Sequence, residues 1–174
     1  METTIKKFDE PEFQQLFEKL GSDDGLERKK TRNTLVAKGK ESIDFLSKII
    51  SHPKHVYRWE AAKALEEIKH PDALPYLIHL LEDDKSDIRW IAAEGLINLG
   101  KKSIIPLLKT LVEKSDSVFI LEGAHHIFYE LHEQGILPAP LPAKKLLEQL
   151  KYPEWEDGVK PLAYEILDML KSLN

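Results

Sequence analysis

A repeat of 31 residues is the feature of this chain that most restricts how it can fold. Three elements return after that interval: Arg58-Trp59 as Arg89-Trp90, Ala61-Ala62 as Ala92-Ala93, and Leu65 as Leu96. A fixed period of this length is typical of repeat arrays, in which each unit buries its apolar face against the neighbouring units. The sequence therefore predicts a stack of similar structural units.

Apolar side chains recur at helical spacing through most of the chain. Phe13, Leu16, Phe17 and Leu20 follow the i, i+3, i+4, i+7 pattern of one buried helix face. Glycines and prolines, such as Gly100, interrupt the pattern where helices should end. We count ten helices in five antiparallel pairs and find no strand pattern of alternating polarity, so the predicted fold is all-α, an α-α superhelix.

The two ends of the chain depart from the repeat. Residues 1–10 are mostly polar, and we interpret them as an N-terminal arm that precedes a single domain over residues 11–174. The repeat persists in the fourth pair, where Gly123-Ala124 replaces the paired alanines. From about residue 136, after a linker with three prolines, it weakens, and the last pair is predicted to be an atypical C-terminal cap.

Composition excludes several classes of function. The chain of 174 residues has no cysteine, which removes disulfides, thiolate nucleophiles and cysteine-based metal sites. Its net charge of −5 disfavours non-specific binding to nucleic acid. No apolar run is long enough to span a bilayer, and the N-terminus lacks the apolar core of a signal peptide. We therefore expect a cytoplasmic protein that does not enter a membrane.

The repeated segments resemble a known family. The run from Arg58 to Leu65, RWEAAKAL, the run from His70 to Ile78, HPDALPYLI, and the run from Ile88 to Ala93, IRWIAA, resemble HEAT-like repeats of the phycobilisome-lyase type. The resemblance implies a superhelix whose second helices line a concave face, with Arg58 and Arg89 in structural roles. This repeat type is shared by adaptors, scaffolds, bilin-attaching enzymes and a metal-dependent hydroxylase, so it predicts fold more than function.

A helical wheel assigns part of each second helix to the concave face. Trp59 and Trp90 lie on a face that should be exposed to solvent. They suggest a binding groove, since tryptophan is favoured at binding hot spots. The alternatives are that both tryptophans pack on neighbouring second helices, or that a terminal arm covers this face. Ile97 and Phe128 are assigned to the same face. The predicted partner-binding residues are Trp59, Glu60, Lys63, Trp90, Ile91, Glu94, Leu121, Glu122 and His125.

Motifs for catalysis or metal binding are weak. Glu122 and His125 form one Glu-x-x-His, whereas a carboxylate-bridged di-iron site needs about two such motifs, so we predict no metal and no cofactor. There is no Gly-x-Ser-x-Gly and no phosphate loop. The basic run from Arg28 to Arg32 could contact phosphates, but glutamates populate the same predicted face, which disfavours nucleic acid as the partner.

Two functional hypotheses follow from the sequence. The first is a non-enzymatic scaffold or adaptor that holds a protein or peptide, or a second copy of itself, in the concave groove. The second rests on the family resemblance alone: a bilin-lyase-like protein that binds a tetrapyrrole in the same groove.

Overall fold

The computed structural model describes residues 11–152 and 158–172, and the predicted arm at residues 1–10 lies outside them. The described residues contain ten α-helices, one short 3₁₀ helix (Pro71–Ala73) and no strand. The α-helices are α1 (Pro11–Leu20), α2 (Gly25–Lys38), α3 (Lys40–Ile49), α4 (His55–Ile68), α5 (Leu74–Leu80), α6 (Ser86–Leu99), α7 (Lys101–Glu113), α8 (Val118–Glu133), α9 (Ala143–Lys151) and α10 (Val159–Lys171).

The all-α fold and the predicted helix count are confirmed, and most helix ends agree within a few residues. The largest difference is the helix predicted over residues 73–82, which is the 3₁₀ helix followed by the short helix α5. Pro71 and Pro75 each lie in a first turn, where the missing amide hydrogen of proline has no cost. Each proline therefore lies at the start of a short helix.

The second helices of the first four pairs pack side by side as one layer. In this layer α4 lies between α2 and α6, and α6 lies between α4 and α8. Ala61, Ala62, Ala92, Ala93 and Ala124 are all buried. Side chains no larger than a methyl group allow neighbouring helices to approach closely. The recurring alanines of the sequence are thus core positions of this layer.

The fifth pair packs with its two helices in exchanged roles. Its first helix, α9, packs on the second helix α8, and its second helix, α10, packs on the first helix α7. The linker between α8 and α9 carries Pro138, Pro140 and Pro142, which stop a helix from continuing straight. As a result α9 packs beside α8 as the next helix of the second-helix layer.

One arginine in each of the first three second helices ties that helix to the turn before it. In every case the Nη1 atom donates a hydrogen bond to a backbone carbonyl six residues earlier. The pairs and N–O distances are Arg28 to Ser22 (2.7 Å), Arg58 to His52 (3.1 Å) and Arg89 to Asp83 (2.8 Å). These bonds are the structural role that the family resemblance implies for Arg58 and Arg89.

Two glycines with the same backbone conformation, Gly39 and Gly100, each join two consecutive helices. Gly39 has φ 58° and ψ −130°, and Gly100 has φ 59° and ψ −129°. The amide of Gly100 donates a hydrogen bond to the carbonyl of Ile97 in the last turn of α6. The carbonyl of Gly100 accepts hydrogen bonds from the amide and the hydroxyl of Ser103 in α7. A side chain is strained at this positive φ, so the tight turn depends on glycine.

We expect Gly100→Ala to lower the free energy of unfolding by about 1 to 3 kcal/mol, because alanine would be forced into a sparsely populated backbone region. Chemical denaturation followed by circular dichroism measures the change. Gly25→Ala is the matched control, since Gly25 begins a helix at an ordinary φ and should accept alanine with little effect. Equal losses in the two variants would contradict a conformational requirement at Gly100.

Candidate functional site

A groove between the second helices α6 and α8 is the candidate functional site. It encloses a cavity of about 230 Å³. The residues that line the cavity include Leu81, Ala93 and Gly123. A Cβ added at Gly123 would come within 3.1 Å of Leu81 Cδ2. The small residues Ala93 and Gly123 therefore leave the space that forms the cavity. We call this site the Trp90 groove, defined by Arg89, Trp90, Phe119, Glu122 and His126.

Trp90 is an exposed aromatic side chain held in place by its neighbours. It is 58% exposed, and its ring stacks on that of His126 with centroids 4.6 Å apart and an interplanar angle of 27°. The His126 Nε2 atom lies 3.2 Å from a carboxylate oxygen of Glu94, one helical turn beyond Trp90 on α6. A stacked aromatic ring loses little further freedom when a ligand binds, which favours recognition.

Arg89 and Phe119 line the same cavity and contact each other. The guanidinium carbon of Arg89 lies 4.0 Å from the centroid of the Phe119 ring, within the range of a cation–π contact. The bond from Nη1 to the Asp83 carbonyl fixes one edge of the guanidinium. Phe119 is itself exposed. The groove thus combines two aromatic surfaces with one oriented cation.

His125 lies on α8, on the side that is near α9. Its ring is stacked near that of Tyr129, with centroids 6.4 Å apart. Burial lowers the pKa of His125, and the positive charges of Lys151 on α9 and of His126 lower it further. The neutral imidazole is therefore favoured at neutral pH, in which form it can both donate and accept a hydrogen bond.

Several predicted binding residues do lie where solvent reaches them. Trp90 and Glu122 are exposed, and Glu94 and His125 are half-buried. Lys63 is half-buried and forms ion pairs with Glu66 and Glu67 of its own helix. Four of these residues, Trp90, Glu94, Glu122 and His125, lie on α6 and α8, in or near the Trp90 groove.

The two predicted tryptophan anchors have different surroundings. Trp59 is half-buried and packs against the core, with the Arg32 guanidinium carbon 5.5 Å from its ring centroid. Trp90, at the same repeat position, is exposed. For Trp59 the structure agrees with the alternative of inter-repeat packing, and for Trp90 it agrees with an open surface.

Glu60 was predicted to face the groove and select a ligand, and that assignment is wrong. The residue is only 3% exposed and accepts hydrogen bonds from Arg28 Nε (3.1 Å) and Arg32 Nη1 (2.5 Å) of the neighbouring helix α2. Arg32 is also buried, and its Nε lies 3.6 Å from a carboxylate oxygen of Glu67. Glu60 therefore joins α4 to α2.

Ile91, Leu121, Ile97 and Phe128 are buried, so their predicted exposure on the groove face is also wrong. The helical wheel treats a second helix as if only the first-helix side were covered. Within the layer, each second helix is covered on its flanks as well, because α4, α6 and α8 are neighbours and α9 packs on α8. Side chains near the flanks of the wheel are consequently core residues.

The sequence interpretation missed three residues of the groove, namely Arg89 as a binding residue, Phe119 and His126. A detectable signal exists for them. Side-chain contacts between successive second helices join residues 32 apart, as in Glu66 with Asn98 and Glu94 with His126. Applying this contact spacing together with the 31-residue repeat would have placed His126 beside Glu94.

Within residues 11–152 and 158–172, no cluster of three or more histidine, aspartate or glutamate side chains could hold a metal ion. None of the helices in these ranges combines the length and apolarity required to traverse a bilayer.

The fold and the groove define a class, an all-α repeat protein with a solvent-open groove between its second helices. A family model for HEAT repeats matches residues 11–97 and residues 43–125. The chain therefore belongs to the HEAT-repeat family. The match is to HEAT repeats in general and does not single out the phycobilisome-lyase type. None of the curated proteins compared with the chain matches it.

Proposed function

We propose that this protein is a non-enzymatic protein-binding module that holds its partner in the Trp90 groove. The observation that carries the proposal is the exposed, pre-positioned ring of Trp90 beside a cavity that the aromatic ring of Phe119 also lines. Exposed aromatic surface next to a well-packed pocket is a common feature of binding hot spots. HEAT repeats commonly act as scaffolds for other proteins.

The arrangement of the groove favours a protein surface or peptide over a small molecule. Its cavity of about 230 Å³ is below the roughly 300–1,000 Å³ of typical small-molecule sites. It is also open on one side, as the exposure of Trp90, Phe119 and Glu122 shows. The tetrapyrrole alternative therefore gains no support from this groove. A side chain projecting from a partner protein has a suitable size for the cavity.

The partner could also be a second copy of this chain, since an exposed aromatic groove can pair with itself in a symmetric dimer. A site-specific photo-crosslink distinguishes the partners and tests the proposal. We expect benzoylphenylalanine in place of Glu122 to form one dominant adduct in cells of the source organism, identified by mass spectrometry. That adduct should disappear when Trp90→Ala is introduced as well.

The control for this experiment places the same photo-crosslinker at Lys109, an exposed residue of α7 in the first-helix layer. A partner that occupies the groove should give no adduct from position 109. Equal adducts from both positions, or none from position 122, would contradict the proposal. An adduct with a second copy of this chain would establish self-association through the groove.

A further inference from the structure

The Arg89 guanidinium stands out because its equivalents in the two preceding repeats bind carboxylates. Arg28 Nε donates to Glu60 of the next repeat at 3.1 Å. Arg58 donates through Nε and Nη2 to the two oxygens of Asp83, at 2.7 and 3.0 Å, and contacts Asp84 as well. Bidentate binding of a carboxylate by arginine is a strong and directional interaction.

Arg89 has no carboxylate at the sequence spacings that Arg28 and Arg58 use. The Arg28–Glu60 pair spans 32 residues, and the residue 32 beyond Arg89 is Leu121, which is buried. The Arg58 contacts span 25 and 26 residues, which from Arg89 leads to Lys114 and Ser115. Lys114 is itself paired with Glu82. The three positions from which a carboxylate would neutralise Arg89, residues 121, 114 and 115, are therefore occupied by an apolar, a basic and a neutral residue.

Arg89 lines the cavity of the groove, and its Nε and Nη2 atoms have no hydrogen-bond acceptor among the described residues. Its Nη1 bonds the Asp83 carbonyl and its flat surface lies over Phe119, and no described carboxylate forms an ion pair with it. Glu122 lines the same cavity, 33 residues beyond Arg89 rather than 32, and forms no pair with it. The guanidinium is thus held on one edge and one face, and within residues 11–152 and 158–172 nothing else pairs with it.

We propose that Arg89 binds an aspartate or glutamate side chain of the partner protein that occupies the Trp90 groove. The inference rests on the proposed function and names the chemistry of the partner. In this proposal the Nε edge of Arg89 binds the partner's carboxylate, as the Nε atoms of Arg28 and Arg58 bind Glu60 and Asp83 within the chain. Trp90 and Phe119 supply aromatic surfaces for an apolar residue beside that carboxylate. The partner segment is therefore acidic and apolar, although this chain carries a net charge of −5.

Selection from a displayed random peptide library tests the proposal. Wild type is expected to enrich peptides that carry aspartate or glutamate next to an apolar or aromatic residue. Arg89→Glu is expected to reverse the preference toward lysine and arginine, because a carboxylate then lies where the guanidinium was. Lys109→Glu changes the net charge by the same amount on the other layer and should leave the selected peptides unchanged.

The affinity of one selected acidic peptide gives the quantitative test by fluorescence anisotropy. Arg89→Gln is expected to weaken its binding about 10-fold or more, as the loss of a charge-assisted hydrogen bond does. Arg89→Lys keeps the positive charge but lacks the planar guanidinium, so its affinity for the peptide should lie between those of wild type and Arg89→Gln. Circular dichroism confirms that each variant remains folded.

The outcomes separate the two proposals. If wild type enriches peptides without acidic residues, and Arg89→Glu enriches the same ones, the assignment of Arg89 is wrong while peptide binding in the groove stands. If wild type enriches nothing beyond what Trp90→Ala enriches, both the groove and the Arg89 assignment are rejected. Enrichment of acidic peptides by wild type and of basic peptides by Arg89→Glu supports both.

Discussion

Replacing Glu60 with leucine is expected to lower the free energy of unfolding by about 3 to 5 kcal/mol. Glu60 is 3% exposed and accepts hydrogen bonds from Arg28 and Arg32, and Arg32 is buried with it. Leucine would leave the Arg32 guanidinium without its closest anion inside the layer. Chemical denaturation of the purified protein measures the loss.

Glu122→Leu provides the matched control for this experiment, because Glu122 is a glutamate on the next-but-one second helix and is exposed. Its replacement should change the free energy of unfolding by no more than about 0.5 kcal/mol. The triple variant Arg28→Met, Arg32→Met, Glu60→Leu should recover much of the loss, since well-packed apolar residues often replace a buried ion cluster without cost. An unaltered unfolding midpoint for Glu60→Leu would show that the cluster contributes nothing.

Replacing Trp90 with alanine is expected to weaken partner binding by at least about 30-fold while leaving the unfolding midpoint nearly unchanged. A hot-spot residue contributes about 2 kcal/mol or more to binding, which corresponds to that factor. Trp90 is 58% exposed, so its replacement removes less buried area from the folded protein than replacement of the half-buried Trp59. Isothermal titration calorimetry with the crosslinked partner, or with a selected peptide, measures the change in affinity.

Two control variants separate binding from folding. Tyr164→Ala removes a similarly exposed aromatic ring, 52% exposed on α10, which packs with the first-helix layer, and should leave binding unchanged. Trp59→Ala removes a half-buried ring packed on the core and should lower stability by about 2 kcal/mol. If Trp90→Ala unfolds the protein as readily as Trp59→Ala does, Trp90 is a core residue and the groove assignment fails.

The fold could be predicted from the sequence because its signals are local and repeated. Apolar spacing such as Phe13, Leu16 and Leu20 reports one buried face, and all three residues are buried in the structure. Gly100 marks a helix end because no other residue readily adopts its backbone conformation. The exchanged roles of α9 and α10 could not be predicted, since the proline-containing linker shows only that a helix stops and not where the chain goes next.

The candidate site was predicted less well because exposure is a property of the layer. A helical wheel separates two sides of one helix, but it cannot show how far the neighbouring helices cover the flanks. Trp59 and Trp90 have the same repeat position and the same chemistry. The Arg32 guanidinium lies over the first, which is half-buried, whereas the second is exposed and stacks on His126.

The sequence by itself determined the all-α repeat, the pairing of helices and the buried alanines that let second helices approach each other, because each of these follows from spacing along the chain. Only the tertiary structure decided that Glu60 is a buried ion-pair partner and that Arg89 lines a groove with no ion-pair partner in the part of the chain that the structure describes. The reason is that an arginine binds whichever carboxylate the next repeat places within reach. Arg28 reaches Glu60, whereas the position 32 residues beyond Arg89 is a leucine.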